Sequence, residues 1–99
     1  MNPFEFVKTG GPYGDESCTY DIKLLRNITL KEFVNIVVSD TKEWGYICLG
    51  SFLSKKRIEY RWGEILSNTL PSESLNKEIE SVTSNGGWSR MDYYIKLKS

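Results

Sequence analysis

Cys18-Thr19-Tyr20-Asp21-Ile22-Lys23-Leu24 and, shortly after it, Thr29-Leu30-Lys31-Glu32-Phe33-Val34-Asn35-Ile36-Val37 decide the fold class. In the first stretch apolar residues alternate with Thr19, Asp21 and Lys23, the period of a half-buried strand. In the second, Leu30, Phe33, Val34 and Val37 recur at helical spacing on one face. Thr29 and Glu32 form a T-x-x-E capping box, which satisfies free backbone donors at a helix start. Ile36 and Val38 widen the apolar arc, but their branching lowers intrinsic helicity, so packing must hold this helix. It is expected to stop near Ser39-Asp40. A strand leading into an amphipathic helix predicts an α+β domain.

Toward the N-terminus, Phe4-Glu5-Phe6-Val7-Lys8 is rich in strand formers. The loop Gly10-Gly11-Pro12-Tyr13-Gly14-Asp15 breaks it and closes a hairpin with Cys18–Leu24. After the helix, Tyr46-Ile47-Cys48-Leu49 reads as a strand covered on both faces or near the sheet centre. Ser54-Lys55-Lys56 is a polar turn. The strand beyond it puts Ile58, Tyr60 and Trp62 inward and Arg57, Glu59 and Arg61 outward, charges that suit an edge. Pro71 and Ser72 open an expected second helix, with Leu75, Ile79 and Val82 as its stripe. Asn85-Gly86-Gly87 is its expected C-terminal stop. The last strand points Met91, Tyr93, Ile95 and Leu97 one way and Arg90, Asp92, Tyr94 and Lys96 the other. The expected order is β-β-α-β-β-α-β over residues 1–99, a mixed sheet with two helices packed on one face and a wet, charged second face. The expected core is Tyr20, Ile22, Phe33, Val37, Ile47, Leu49, Ile58, Tyr60, Ile79, Tyr93 and Ile95.

This order resembles the β-grasp fold of ubiquitin-like proteins. Phe6-Val7-Lys8-Thr9 resembles the first ubiquitin strand, and Thr29, Leu30, Phe33 and Val37 are similar in placing to its helix start and buried helix positions. The likeness covers the first forty or so residues and implies fold rather than conjugation. The chain ends Lys96-Leu97-Lys98-Ser99, without a Gly-Gly tail, and its Trp44–Leu66 segment is longer and more aromatic. A sandwich of different strand order fits the same elements.

Composition excludes several function classes. In 99 residues there is no His, and 13 Lys+Arg cancel 13 Asp+Glu. Without His there is no Ser-His or Cys-His nucleophile pair and no His-ligated zinc. Zero net charge argues against general nucleic-acid or anionic-membrane binding. No apolar run is long enough to span a membrane, and the first residues lack a signal-peptide pattern, so a cytoplasmic location is expected. Cys18 and Cys48 are expected as buried thiols in a reducing compartment, with a disulfide open only if their strands are neighbours. The chain has no Ala and many Lys, Ile, Asn, Ser and Tyr. That is the codon bias of an AT-rich genome, and it points to a low-GC bacterium or its phage.

The candidate binding stretch is Gly87-Trp88-Ser89-Arg90: an aromatic plane, a hydroxyl and a guanidinium after a Gly pair. Its simpler reading is a helix stop followed by a Trp that covers the core. Tyr13, in the Gly-rich loop, and Arg57 and Arg61, in a basic patch with Lys55 and Lys56, are the other candidates. Tyr60 and Trp62 are expected on the opposite face from Arg57 and Arg61, which would spoil an interleaved basic–aromatic platform. Glu59, Glu64 and Asp92 read first as cross-strand ion-pair partners, with a glycosidase-like carboxylate pair as the open alternative. With no catalytic or metal constellation and no cofactor motif, three Trp and six Tyr point to a non-enzymatic protein-binding module. A phage or mobile-element protein that inhibits or sequesters a host factor fits that size. The alternative is a small-ligand protein that grips a nucleotide-like or acidic ligand through Gly87–Arg90.

Overall fold

The computed structural model describes residues 3–10, 18–40, 43–50, 53–87 and 90–98, with the side chains of Lys8, Thr9, Cys18, Thr19, Tyr20 and Asp40 outside that description. Strands β1 (Phe4–Gly10) and β2 (Cys18–Leu24) form the opening hairpin, and helix α1 (Leu30–Asp40) follows. Then come β3 (Trp44–Leu49), β4 (Arg57–Arg61) and β5 (Glu64–Asn68), a 3-10 turn over Ser72–Asn76, β6 (Ile79–Gly87) and β7 (Arg90–Leu97). The seven strands form one sheet in the order β1-β2-β6-β7-β3-β4-β5. Every neighbouring pair is antiparallel except β3 and β7, which run parallel. The sheet is therefore mixed, and the domain is α+β.

The capping box forms. The Glu32 amide donates to the Thr29 hydroxyl at 3.2 Å, and the Thr29 amide donates to the Glu32 carboxylate at 3.4 Å. Arg26 donates to the same carboxylate at 2.9 Å. That hydrogen bond, then the one from Thr29, hold the Glu32 carboxyl below its ordinary value. A lowered folded pKa gives stability that is full above the unfolded value and is lost as pH falls through the folded one. The helix start should therefore weaken on acidification below the ordinary carboxylate range. Thr29→Ala should cost about 1 kcal/mol in urea unfolding at neutral pH.

Packing does hold the branched helix. Phe33, Val34, Val37 and Val38 are buried against Phe4, Ile22, Ile47, Ile58, Tyr60, Tyr93 and Ile95. Of the expected core, Leu49 is only half-buried and packs at its margin, and the Tyr20 side chain lies outside the described residues.

Three expectations are corrected. The second helix is a single 3-10 turn, and Ile79–Gly87 is a strand between β2 and β7. Ile79 pairs with Leu97 but Ser81 pairs with Lys96, so a bulge adds a residue between them. The bulge sets two inward residues, Ile79 and Val82, three apart, which imitates helical spacing. Gly86 is a paired strand residue rather than a helix stop; a Cβ there would come within 2.7 Å of the Met91 side chain.

Arg57–Arg61 is an interior strand, and the edge on its side of the sheet is β5, all of whose residues are exposed. Ser67 faces Glu59 while Ile65 faces Tyr60, so Leu66 is an extra residue whose bulge blunts that edge.

Trp62 does not face inward. It is 68% exposed in a tight turn with φ of 46°, followed by Gly63 at 86°. Two positive φ values in a two-residue loop suit the right-handed twist of a hairpin.

Candidate functional site

Alternation along each strand sorts side chains onto two faces, and α1 covers only one of them. The other face brings together Trp44, Tyr46 and Cys48 of β3, Arg57, Glu59 and Arg61 of β4, and Arg90, Asp92 and Tyr94 of β7. Register places Trp44 beside both Arg61 and Arg90, and Cys48 beside both Arg57 and Tyr94. Trp44, Tyr46 and Tyr94 are half-buried by these neighbours.

The centre of the face is a run of stacked groups. The Arg57 guanidinium lies 4.5 Å from the Tyr46 ring centre. The Arg90 guanidinium lies 5.5 Å from the same ring and 4.7 Å from the Trp44 ring. Because β3 lies between β7 and β4, Tyr46 receives one guanidinium from each flanking strand. Each contact is attractive through the negative face of the ring.

Asp92 holds the run in place. Its side chain is 14% exposed and pairs with Arg90, whose Nε and Nη2 both lie 3.0 Å from Oδ2. Its Oδ1 also accepts the Tyr46 backbone N–H at 3.1 Å. The hydrogen bond to Asp92 raises the Arg90 guanidinium further above its ordinary value. Asp92 thus pairs along its own strand rather than across strands. Asp92→Ala should cost about 1.5–3 kcal/mol, since it frees a charged donor and a backbone amide together. Asp92→Asn should cost less, because its carbonyl can still accept the amide. Urea denaturation of the two variants compares them.

Cys48 is buried within this face. Burial, then the Asp92 carboxylate, raise its thiol above the ordinary value, so it stays protonated at neutral pH and is a poor nucleophile. Burial likewise raises Tyr60, Tyr93 and Tyr94. Cys18 pairs with Gly86 on β2, three strand steps from β3. Strand spacing alone separates the two cysteines by about 14 Å, beyond disulfide reach. Among the described residues, no group of three or more Cys, Asp and Glu is placed to hold a metal ion. Among the described residues, no helix is long and apolar enough to cross a membrane.

The residues singled out from sequence are only partly brought together. Gly87 pairs with Arg90 at the β6–β7 hairpin end. Trp88, Ser89 and Tyr13 lie outside the described residues. Arg57 and Arg90, distant in sequence, meet around Tyr46. Arg61 sits at the hairpin tip, its guanidinium 5.4 Å from the Trp62 ring.

Sequence reasoning missed Trp44, Tyr46 and the clamping role of Asp92. The basic–aromatic interleaving that β4 lacks within itself is supplied by β3. The readable signal was the alternation Trp44, Tyr46, Cys48 against Gly45, Ile47, Leu49, obscured when Tyr46–Leu49 is read as a strand covered on both faces. Compared with protein-family models, curated proteins and solved structures, the chain matches none, and its own geometry carries the reading.

Proposed function

We propose that this chain is a small, non-enzymatic protein-binding module that docks through the face around Tyr46. The observation that carries the reading is the run Arg57–Tyr46–Arg90–Trp44, anchored by Asp92 at Arg90 and at the Tyr46 amide and left uncovered by α1. Arg, Trp and Tyr are the side chains that most often dominate interface energetics, and stacking lowers the entropy lost when a partner arrives. The protonated thiol and the absence of His support a non-catalytic role. The setting we propose is a cytoplasmic phage or mobile-element protein that inhibits or sequesters a host factor, on the grounds of small size and AT-rich composition.

Affinity capture from bacterial lysate, with wild type, Trp44→Ala and Arg90→Ala compared side by side, tests the docking face. A partner retained by wild type and lost by variants that still unfold in one cooperative transition is the expected result. Equal retention by all three would remove this face as the docking surface.

One observation favours the second reading, a small anionic ligand. A hollow of about 500 Å³ lies at the Leu97 end of β7, lined by Ser81, Thr83, Tyr94 and Lys96 beside Leu49 and Leu97. Three hydroxyls can hydrogen-bond an acidic ligand there, while the Lys96 ammonium is shared with Glu80 at 3.3 Å. It lies away from Arg90, which begins β7, so a ligand here would not use the Gly87–Arg90 stretch. A ligand at a hundred times its Kd would add about 2.7 kcal/mol of stability. A thermal-shift screen of nucleotides and small acids therefore separates the two readings.

A further inference from the structure

We infer that the partner presents an acidic, extended peptide segment, and that Arg57 is the fork that receives its carboxylate; this rests on the protein-binding reading. Arg90 is the less able receptor, because Asp92 already engages its Nε and Nη2. Arg57 differs. Among the described residues its guanidinium has no carboxylate partner, and neither have Arg61, Lys55 and Lys56. Lys23, Arg26, Arg90, Lys96 and Lys98 all pair with a carboxylate. The cations left without one therefore include a group along β4 and the turn before it.

Arg57 is also set in position. Thr69 clamps its backbone: the Arg57 amide donates to the Thr69 hydroxyl at 3.1 Å, and the Thr69 amide donates to the Arg57 carbonyl at 2.9 Å. The Tyr46 ring then holds the guanidinium carbon 4.5 Å from its centre. A stacked guanidinium keeps its in-plane N–H donors, the edge that matches a carboxylate in bidentate fashion. Arg61 lies on the same face of β4, four residues on and about 13 Å along an ideal strand. An extended segment with acids at i and i+4 spans that distance.

Three observations favour a peptide over a nucleic acid. The chain has no net charge, so the long-range attraction of a phosphate backbone is missing. Glu59 and Asp92 share the face with Arg57 and interrupt a phosphate track, whereas a segment with acids at i and i+4 alone places a neutral residue beside Glu59. Guanidiniums from both flanking strands already contact the Tyr46 ring, which therefore offers little free surface for a stacked base.

Fluorescence anisotropy with a dye-labelled peptide carrying glutamates at i and i+4 tests the inference, beside its glutamine counterpart, oligo-dT and inorganic phosphate. Wild type should bind the glutamate peptide in a salt-sensitive way and ignore the glutamine one. Arg57→Gln should weaken binding about tenfold or more at unchanged melting temperature. Arg57→Lys should recover only part, since it restores the charge without the fork. Thr69→Val, which leaves Arg57 in place but removes the clamp, should also weaken binding. Unchanged affinity in Arg57→Gln, no binding of the glutamate peptide by wild type, or oligo-dT bound as tightly as the peptide would each overturn the inference. If lysate capture fails in Trp44→Ala but survives in Arg57→Gln, the docking face stands and the acidic-segment inference alone falls.

Discussion

Phe33→Ala should lower the unfolding free energy by about 3–5 kcal/mol, the range for deleting a buried aromatic ring. Phe33 has no solvent exposure. Its ring centre lies 5.1 Å from that of Phe4 on β1 and 5.3 Å, edge-on, from that of Tyr93 on β7. It is thus the contact by which α1 grips both an outer and a central strand. At about 0.05–0.15 kcal/mol per residue, a chain this size has roughly 5–15 kcal/mol in all, so the loss removes a large share. The midpoint of urea unfolding should fall with little change in slope. Phe33→Leu should cost markedly less. A loss below about 1 kcal/mol for Phe33→Ala would mean that α1 does not pack as described.

Gly45→Ala should be comparably severe for a different reason, and it should damage the docking face as well. A Cβ at Gly45 would sit 2.1 Å from the Met91 carbonyl oxygen and 2.9 Å from Asp92 Oδ1, with φ at 156°. Met91 is backbone of the neighbouring strand, so it cannot swing aside; β3 and β7 must part. The same Met91 carbonyl accepts the Tyr60 hydroxyl, and Asp92 holds both Arg90 and the Tyr46 amide. Parting the strands breaks all of these together. About 3 kcal/mol or more is expected, at the upper end of the cost of overpacking. Partner or peptide binding should be lost in whatever protein remains folded. Gly50 is the comparison: a Cβ there meets nothing within 4 Å, and only its φ of 87° is strained. Gly50→Ala should cost about 1–2 kcal/mol. Equal stability of Gly45→Ala and wild type would contradict the close approach of β3 to β7.

Local chemistry determined much of this protein from sequence alone. The Thr29–Glu32 box, the apolar face Leu30–Val37, the alternation in Cys18–Leu24, Arg57–Arg61 and Arg90–Leu97, and the exclusion of His-based catalysis needed only neighbours a few residues apart. Three features failed that locality. The bulge before Ser81 reset the register of β6, so a strand carried helical spacing, and only its place between β2 and β7 made it a strand. The β4–β5 turn used Trp62 at positive φ, where sequence patterns expect Asn or Gly, so β5 went unread.

The face around Tyr46 was the least legible. Its parts come from β3, β4 and β7, and Tyr46 and Asp92 are 46 residues apart. Their meeting depends on the parallel pairing of β3 with β7. The sequence determined which groups could stack and pair, because that is side-chain chemistry. Tertiary structure alone decided which of them met, because strand order and register follow from burying the whole apolar face of the sheet at once.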